Sequence, residues 1–443
     1  MKIAVVGAGW AGMAAALGAA QAGHQVTVLE AARTVGGRAR AVAAQDDNGQ
    51  PVTLDNGQHI LIGAYAECLR LMQGVGVPEH GALLRMPLAL PFADGTGLRL
   101  PDLPAPWDAL LGIARARGWS WGERLALLRT AVTWRLGGFT CPPSATVAQL
   151  CAHLPMRLQA EFIDPLCVSA LNTPADQSSG RVFLRVLHDS LFSGRGGSNL
   201  LLPRVDLGAL LPVPAMEWLR ARGHAVRPGY RVQSLQHAPW ANAGWSLDGE
   251  AFDAVVLATT STEAARLAAS AAAPASPAEP PPAATQRALT AWAATAQALH
   301  FTAIATVYAQ QCNAPGPLLA EPMLALRSNS RHPAQFVFDR QRLGGTAGML
   351  AFVVSAFEGD RATLEQQVLQ QASEQLGLHA LDIVQTVVEK RATFACVPGL
   401  QRPPMQLAPG LYACGDYIDG PYPATLEGAV LSGTAVARAL GRA

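Results

Sequence analysis

The first thirty residues alternate between apolar runs and a glycine-rich turn. Residues 2–6 (KIAVV) are mostly β-branched or small and predict a buried strand, the Ala- and Leu-rich stretch 13–22 predicts a helix, and residues 24–30 (HQVTVLE) predict a second strand. Positions 3–29 carry no Asp, Glu, Lys or Arg, which is also typical of a signal peptide or a membrane helix. The order strand, glycine turn, helix, strand favours a βαβ unit instead.

The turn of this unit carries the motif GAGWAG, which is typical of dinucleotide binding. Gly7 permits the tight turn, Gly9 lets the backbone approach a pyrophosphate, and Gly12 lets helix and strand pack closely. Trp10 lies inside the motif and is expected at the cofactor. Glu30 follows Gly12 by 18 residues, where a carboxylate can accept hydrogen bonds from the adenosine ribose hydroxyls.

A second glycine turn indicates which dinucleotide is bound. Gly36, Gly37 and Arg38 follow the second strand, and the arginine can neutralise the same pyrophosphate. NAD enzymes usually lack this turn, so the pattern favours FAD; a surface turn with an exposed arginine is the alternative. The string resembles the extended fingerprint of amine oxidases, protoporphyrinogen oxidase and carotenoid desaturases.

The other half of the cofactor site is predicted beyond residue 410. Residues 411–414 predict a strand, Gly415 and Asp416 its exit, and a helix follows with its cap near Thr425. In the FAD families that the chain resembles, the matching Asp binds a ribityl hydroxyl. The helix there, beginning near Leu426, points its N-terminus at flavin N1, where its dipole stabilises negative charge by about 0.3–2 kcal/mol.

Two segments in the middle of the chain are expected to return it to the cofactor. Residues 226–236 and 252–260 predict strands that bracket a polar hairpin. Val232 matches the position where related proteins contact adenine through backbone groups, and ordinary strand core is its alternative. The Ala- and Pro-rich join at 261–285 is expected to be a surface connection.

These elements predict an α/β fold with a Rossmann-like FAD-binding domain of the amine oxidase and carotenoid desaturase type, interlaced with a mixed α+β substrate domain. The length of 443 residues allows two or three compact units. We expect a discontinuous FAD-binding domain from residues 1–75, 191–270 and 391–443. The substrate domain is then built from residues 76–190 and 271–390.

The composition narrows the range of possible binding partners and cofactors. The chain has 33 basic and 32 acidic residues and a net charge of +1, so it has no field to attract nucleic acid. Seven cysteines without a CxxC pair and scattered histidines predict neither disulfides nor a metal site, and they fit a reducing cytoplasm. Only Lys2 and Lys390 among the basic residues are lysines.

Residues 101–140 are unusually rich in tryptophan, leucine and arginine. They hold four of the nine tryptophans and five arginines. This composition is typical of short helices in peripheral contact with a membrane, here its inner face; if the segment meets lipid, Trp119 and Trp121 are expected to carry the contact. A helix pair that covers the protein's own core is the alternative, and the sequence leaves both open.

Four long motifs are similar to the squalene-associated FAD-dependent desaturase family, whose named activity is that of hydroxysqualene dehydroxylase. They are LDNGQHILIGAY (54–65) and the segments 164–194, 201–223 and 415–433. The resemblance implies noncovalent FAD, NADPH or NADH as electron donor, and a polyisoprenoid substrate on a bacterial route to hopanoids. It also implies neighbouring squalene-pathway enzymes as partners, and it places Asn56 and Gly57 at the cofactor.

The reaction that the resemblance implies needs an acid. Protonation of the allylic hydroxyl releases water and leaves a delocalised cation, to which reduced flavin can deliver hydride. Asp55, His59, Asp419 and Tyr422 lie in the fragments expected beside the flavin ring, so they are the candidates. A structural role is the alternative: Asp55 and His59 could cap a turn and Tyr422 could form a pocket wall.

Three competing functions remain open at this point. A desaturase of a carotenoid-like polyisoprenoid would use the same site with hydride flowing to the flavin. Amine oxidation is less favoured, because many such enzymes use a central lysine and this chain has none between Lys2 and Lys390. A non-catalytic FAD-bearing scaffold that binds lipid is the third.

Overall fold

The computed structural model describes residues 1–46, 49–191, 194–237, 244–273 and 281–442. The strands, numbered along the chain, are β1 (Lys2–Val6), β2 (Gln25–Glu30), β3 (Ala41–Gln45), β4 (Pro51–Asp55), β5 (Leu61–Ile62), β6 (Leu83–Met86), β7 (Ala89–Pro91), β8 (Gly97–Arg99), β9 (Leu200–Pro203), β10 (Ala225–Pro228), β11 (Leu235–His237), β12 (Trp245–Leu247), β13 (Glu250–Phe252), β14 (Ala254–Leu257), β15 (Phe301–Gln310), β16 (Met323–Ala325), β17 (Phe336–Asp339), β18 (Met349–Phe357), β19 (Asp382–Phe394), β20 (Gln406–Ala408) and β21 (Leu411–Ala413).

The helices are α1 (Trp10–Gln21), α2 (Ala66–Gly74), α3 (Glu79–Ala82), α4 (Trp107–Arg115), α5 (Trp121–Leu136), α6 (Val147–Cys151), α7 (Met156–Leu158), α8 (Asp164–Leu171), α9 (Gly180–Leu191), α10 (Leu207–Leu210), α11 (Pro212–Arg220), α12 (Ser261–Ala272), α13 (Ala283–Gln297), α14 (Arg361–Leu376) and α15 (Leu426–Leu440). A π-helical turn covers Gln159–Ile163, and a 3₁₀ turn covers Gln341–Leu343. Among the helices of the described ranges, none is both long and apolar enough to cross a membrane.

A six-stranded sheet forms the centre of the cofactor-binding part, in the order β10-β2-β1-β14-β21-β20. Its strands pair in parallel except for β20, which runs antiparallel to β21. The strand order reverses at β1: β2 and β10 lie on one side of it, and β14, β21 and β20 lie on the other. Ligands of such sheets bind at the carboxyl ends of the strands beside this reversal. The predicted α/β fold with a Rossmann-like parallel sheet is thereby confirmed.

A second sheet, β16-β17-β18-β15-β19, is antiparallel and forms the other wall of the molecule's main cavity. Its strands β15 and β18 are almost entirely apolar and buried at the inner face. Strand β19 runs on to Phe394. The domain boundaries proposed from the sequence remain predictions.

Helices α1 and α15 pack through small residues, which allows the front and the tail of the chain to approach closely. A Cβ added at Gly433 would lie 2.2 Å from the carbonyl oxygen of Ala11, and one at Gly18 would lie 2.5 Å from the Cβ of Ala437. Nothing larger than glycine fits at either contact. The close approach brings the N-termini of both helices to the same cavity.

Two sequence-based expectations differ from the fold. Residues 226–236 form two short strands separated by a turn, because Gly229 and Tyr230 donate their amide hydrogens to Ala32 and Glu30 beyond the end of β2. The join at 261–285 is largely a core element: α12 buries alanines and Leu267 completely. Alanine is both apolar and a strong helix former, so a low-complexity stretch here packs as a helix. Residues 274–280 of this join lie outside the described part.

Candidate functional site

A cavity of about 1080 Å³ lies between the carboxyl edge of the six-stranded sheet and the second sheet. It exceeds the ~300–1,000 Å³ of ordinary ligand pockets, so it has room for a cofactor and a substrate. Most of the residues proposed from the sequence line it: Gly7, Gly9, Trp10, Glu30, Gly36, Gly37, Arg38, Asn56, Gly57, His59, Val232, Gly415, Asp416, Tyr422, Thr425 and Leu426. Gly12, Asp55 and Asp419 do not.

The N-terminus of α1 forms one end of this cavity. Gly9 is its N-cap, no side chain caps it, and its first turn contains no acidic residue. The amide hydrogens of the first turn and the positive end of the helix dipole are therefore available to an anion. A Cβ at Gly9 would meet only the Cα of Gly37, at 3.9 Å. The space beside Gly9 is thus open to a ligand.

Gly7 and Gly12 keep the turn compact. Gly7 has a φ of +111°, which favours glycine, and a Cβ there would lie 2.5 Å from the carbonyl oxygen of Ala258. A Cβ at Gly12 would lie 2.0 Å from the carbonyl oxygen of Gly7. Gly12 therefore acts by close packing, which explains why it does not line the cavity.

Glu30 is held in a fixed orientation at the end of β2. Its two carboxylate oxygens accept hydrogen bonds from the amides of Ala8 and Ala32, both at 2.7 Å. Each oxygen keeps a second acceptor position, as binding of ribose hydroxyls requires. Val232 is buried at the same end, and its carbonyl accepts a 2.9 Å hydrogen bond from Arg266.

The N-terminus of α15 also lines the cavity. Thr425 caps this helix, accepting a 2.9 Å hydrogen bond from the amide of Gly428. Glu427 in its first turn is buried and accepts hydrogen bonds from the amides of Glu67 and Cys68, both at 2.9 Å. Burial raises the pKa of Glu427 despite these bonds. Glu427 ties α15 to α2 at the cavity wall, a role that the sequence did not reveal.

Arg38 and Asp416 link the glycine turns near α1 to the segment that leads into α15. One guanidinium nitrogen of Arg38 donates to Asp416, and another donates to the carbonyl of Ala392 at 2.6 Å. Burial lowers the pKa of Arg38, but the charge of Asp416, its hydrogen bond and the charge of Glu389 together outweigh burial, and the net pKa is raised. Asn56 supports the arrangement, since its amide donates to the carbonyl of Arg38 at 3.0 Å and to Glu389 at 3.1 Å.

Asp55 lies beneath the cavity wall and is almost completely buried. One carboxylate oxygen accepts a 2.8 Å hydrogen bond from the amide of Leu207, while the other has no hydrogen-bond partner and lies 3.8 Å from Arg340. Burial raises the pKa of Asp55 to about 6, although Leu207 and Arg340 pull it down. The geometry therefore favours the structural alternative for Asp55.

His59 lines the cavity as a neutral imidazole. Burial lowers its pKa, and its Nδ1 lies 2.8 Å from the carbonyl oxygen of Gly57. A carbonyl can only accept, so Nδ1 carries the proton and Nε2 is an acceptor. In this tautomer His59 can orient a hydroxyl or a water by accepting its hydrogen bond.

Tyr422 lines the cavity within a polar cluster from α9. Burial and a hydrogen bond to Asp189 raise the pKa of Tyr422. Burial also raises the pKa of Asp189, but hydrogen bonds from Arg185, His188 and Tyr422 outweigh it and keep that carboxyl ionised. Asp189 itself lines the cavity and was not among the sequence candidates. Its pairing with Tyr422 joins segments more than 200 residues apart, which no local motif could indicate.

Asp419 points away from the cavity. Its side chain is 75% exposed and pairs with Arg402 at 3.3 Å. Asp419 is therefore not placed to donate a proton to a buried substrate.

The part of the cavity beyond the cofactor cradle is apolar. Side chains from β7, β8, α4, the π-helical turn and the second sheet line it, including Leu90, Leu98, Ile113, Phe162, Phe336 and Phe338. Neither Lys2 nor Lys390 lines the cavity. The chamber suits a hydrocarbon better than an amine.

The residues present fit FAD. The open glycine cradle at Gly9 and the uncapped helix behind it would hold the pyrophosphate, and Glu30 would hold the adenosine ribose. Asp416 and the N-terminus of α15 would lie at the ribityl chain and the ring. All of these groups line one cavity.

Comparison with known proteins agrees with this site. Residues 10–441 match the model of the family described as flavin containing amine oxidoreductase. Hydroxysqualene dehydroxylase of Rhodopseudomonas palustris is 27% identical over 98% of this chain and 96% of its own length. The 15-cis-phytoene desaturase of an Oncidium hybrid cultivar is 26% identical over 53% of this chain and 42% of its own. Cyclohexylamine oxidase from Brevibacterium oxydans has the same fold, with a TM-score of 0.68, 17% identity, and coverage of 100% of this chain and 98% of its own.

The fold and the site define a FAD-dependent oxidoreductase. Within that class, the chain belongs to the flavin containing amine oxidoreductase family. The predicted flavin cofactor is confirmed by this membership, and the resemblance to the hydroxysqualene dehydroxylases by the full-length relative.

Proposed function

We propose that the protein catalyses the reductive dehydroxylation of hydroxysqualene to squalene. The observation that carries the proposal is the apolar chamber that continues from the flavin cradle without a lysine in its wall. The similarity of nearly the whole chain to a hydroxysqualene dehydroxylase supports the same reaction.

The reaction replaces a C–O bond by a C–H bond. A proton taken up from solvent onto the allylic hydroxyl lets water leave with the electron pair of the C–O bond, and the resulting cation is delocalised over the double bond. Reduced FAD, when bound, supplies the hydride that completes squalene. We keep NADPH or NADH as the predicted source of both electrons. The protein contributes a dry, apolar chamber, in which electrostatic interactions are stronger than they are in water.

His59 and Tyr422 are the two sequence candidates that could touch the substrate oxygen. Neutral His59 can accept from the hydroxyl through Nε2, and Tyr422 presents a hydroxyl whose own proton is shared with Asp189. We propose that the pair orients the hydroxyl and the departing water. Tyr422→Phe and His59→Gln should then lower turnover by about 10²–10⁴-fold with flavin retained. Asp419→Asn, outside the cavity, is the matched control and should retain turnover.

Product analysis tests the function itself. Purified protein, reduced anaerobically and freed of reductant, is mixed with hydroxysqualene, and squalene is measured by mass spectrometry together with flavin reoxidation. One squalene for each flavin reoxidised is the expected result. No squalene and no reoxidation would contradict the proposal.

A desaturase of a carotenoid-like polyisoprenoid is the second candidate, supported by the partial similarity to a phytoene desaturase. It would use the same chamber with hydride moving to the flavin. Oxidised protein mixed with phytoene separates the two: bleaching of the flavin and a more conjugated product would favour the desaturase.

A further inference from the structure

Helix α5 is apolar on two opposite faces. The inner face packs on the protein through Leu127 and Thr130, and Trp134 makes an edge contact with Phe183 at 6.5 Å between ring centroids. The outer face carries a second apolar row at a spacing of 3 to 4 residues, which places its members on one side of a helix: Trp121, Leu125, Leu128, Val132 and Leu136. Within the described residues, the outer row is largely exposed, although Leu128 is half-buried against the core and the guanidinium of Arg124 lies 4.7 Å from the ring centre of Trp121.

The outer row belongs to a larger exposed apolar surface. Of the nine large apolar side chains that are exposed in the described part, seven lie between residues 103 and 156. Leu136 is 85% exposed, Trp121 75% and Trp107 of α4 63%. Such a concentration marks an interaction site, since single exposed apolar residues are normally scattered.

Trp119 does not contribute to this surface, contrary to expectation. It is 4% exposed, and its indole donates to Glu161 at 3.3 Å. Of the two tryptophans predicted to meet lipid, only Trp121 is available. Residues 101–140 thus combine both alternatives: one face covers the core and the other remains outside.

Arginines border the outer row on both sides. At 100° per residue, Arg129 lies on one flank of the row and Arg135 on the other, and both are exposed. Arg124 donates to the carbonyls of Ala114 and Ala116 at 2.9 and 2.7 Å and thereby fastens α4 to α5. The row is therefore apolar at its centre and cationic at its edges.

We propose that the outer face of α5, together with Trp107, docks on the interfacial region of an anionic lipid bilayer. Tryptophan and leucine enter the boundary between headgroups and acyl chains, while flanking arginines reach the phosphates. A second copy of the chain fits less well. A symmetric contact through this row would bring its bordering arginines close to their counterparts, and like charges repel.

Helix α4 connects this surface to the cavity. Trp107 at its first residue is exposed, whereas Ala109 and Ile113 line the cavity. A hydrocarbon substrate dissolved in the bilayer would therefore lie one helix away from the chamber. This link to the substrate rests on the proposed function, but the docking itself does not.

Vesicle flotation of the flavin-loaded protein tests the docking. Vesicles of phosphatidylcholine with phosphatidylglycerol should carry the protein upward. The variant Trp121→Ser/Leu125→Ser/Val132→Ser should bind at least about tenfold less, with unchanged flavin content and melting temperature. Arg129→Gln and Arg135→Gln, made singly, should each weaken the preference for phosphatidylglycerol, and Arg287→Gln at an exposed position of α13 is the charge-matched control.

Equal binding of the serine variant and the unchanged protein would overturn the proposal. So would a concentration-dependent dimer in size-exclusion chromatography that the serine variant abolishes, combined with no vesicle binding. Because flotation does not depend on turnover, the docking stands or falls separately from the proposed reaction.

Discussion

Arg38 and Asp416 are 378 residues apart in the sequence, and the guanidinium of one donates a 2.5 Å hydrogen bond to the carboxylate of the other. The pair stands at the cavity wall between the phosphate cradle and the N-terminus of α15. It therefore fixes the distance between the two ends of the flavin site.

Removal of this link should weaken flavin binding. Asp416→Ala leaves the part-buried guanidinium of Arg38 without the carboxylate of Asp416, and a charge-assisted hydrogen bond contributes about 1.5–3 kcal/mol, or roughly 10- to 100-fold in affinity. Asp416→Asn keeps an acceptor oxygen and should lose less. Flavin titration followed by fluorescence measures both. Equal affinity of the alanine variant and the unchanged protein would contradict the role of the pair.

Two glycines of the first turn should respond differently to the same added methyl group. Gly12→Ala places a Cβ 2.0 Å from a backbone oxygen and should lower the free energy of unfolding by about 1–3 kcal/mol. Gly9→Ala meets nothing closer than 3.9 Å and should fold normally, yet lose flavin because the methyl occupies the open side of the cradle. Melting temperature and absorbance at the flavin band separate the two effects. A Gly9→Ala protein with full flavin would show that the pyrophosphate lies elsewhere.

Asp55 should make the protein less stable as pH rises. Its pKa in the folded protein is about 6, above the ordinary value of 3.8, so the folded state holds the proton more tightly than the unfolded state. The stabilisation is full below about pH 4 and is lost as pH rises through 6. Asp55→Asn cannot ionise, so its melting temperature relative to the unchanged protein should be higher at pH 8 than at pH 5. An identical difference at both pH values would refute this.

Asn172 should be a positioning residue for the cavity wall. It ends α8 with a φ of +45°, donates to the hydroxyls of Thr302 and Thr393 at 2.9 Å each, and accepts from the amide of Ala356 at 2.6 Å. These bonds hold α8 against irregular points of β15, β18 and β19.

Asn172→Gly keeps the left-handed backbone but removes all three bonds, and should lower the free energy of unfolding by about 2–4 kcal/mol. Asn313 is the matched control, since it is exposed and also left-handed, with a φ of +55°. Asn313→Gly should change stability by less than about 0.5 kcal/mol. Chemical denaturation measures both, and equal losses would show that the backbone conformation alone matters.

Features with a local cause could be predicted from the sequence. The βαβ unit, Glu30 at the end of β2 and the cap at Thr425 depend on residues within a few positions of each other, and the structure has them where expected. Arg38 and Asp416 were each identified by their own motif, but their mutual contact depends on how the two ends of the chain meet.

Features that depend on tertiary contacts could not be predicted. Asp189 and Asn172 lie within the motif at 164–194, but the motif does not indicate their partners, which come from remote strands and loops. The burial of α12 likewise depends on tertiary packing, which its alanine-rich sequence does not indicate. Asp55 and Asp419 were chosen by proximity to a motif, which fixes neither the direction of a side chain nor its exposure.

The contact of α15 with α1 has a consequence for biosynthesis. Helix α15 covers Ala11 and completes the flavin cradle. It can dock on α1 only after residues 426–440 have left the ribosome. Until then the emerging polypeptide exposes the apolar back of α1 and cannot retain its prosthetic group. Premature termination anywhere upstream therefore yields a colourless, protease-sensitive fragment instead of a partly active one.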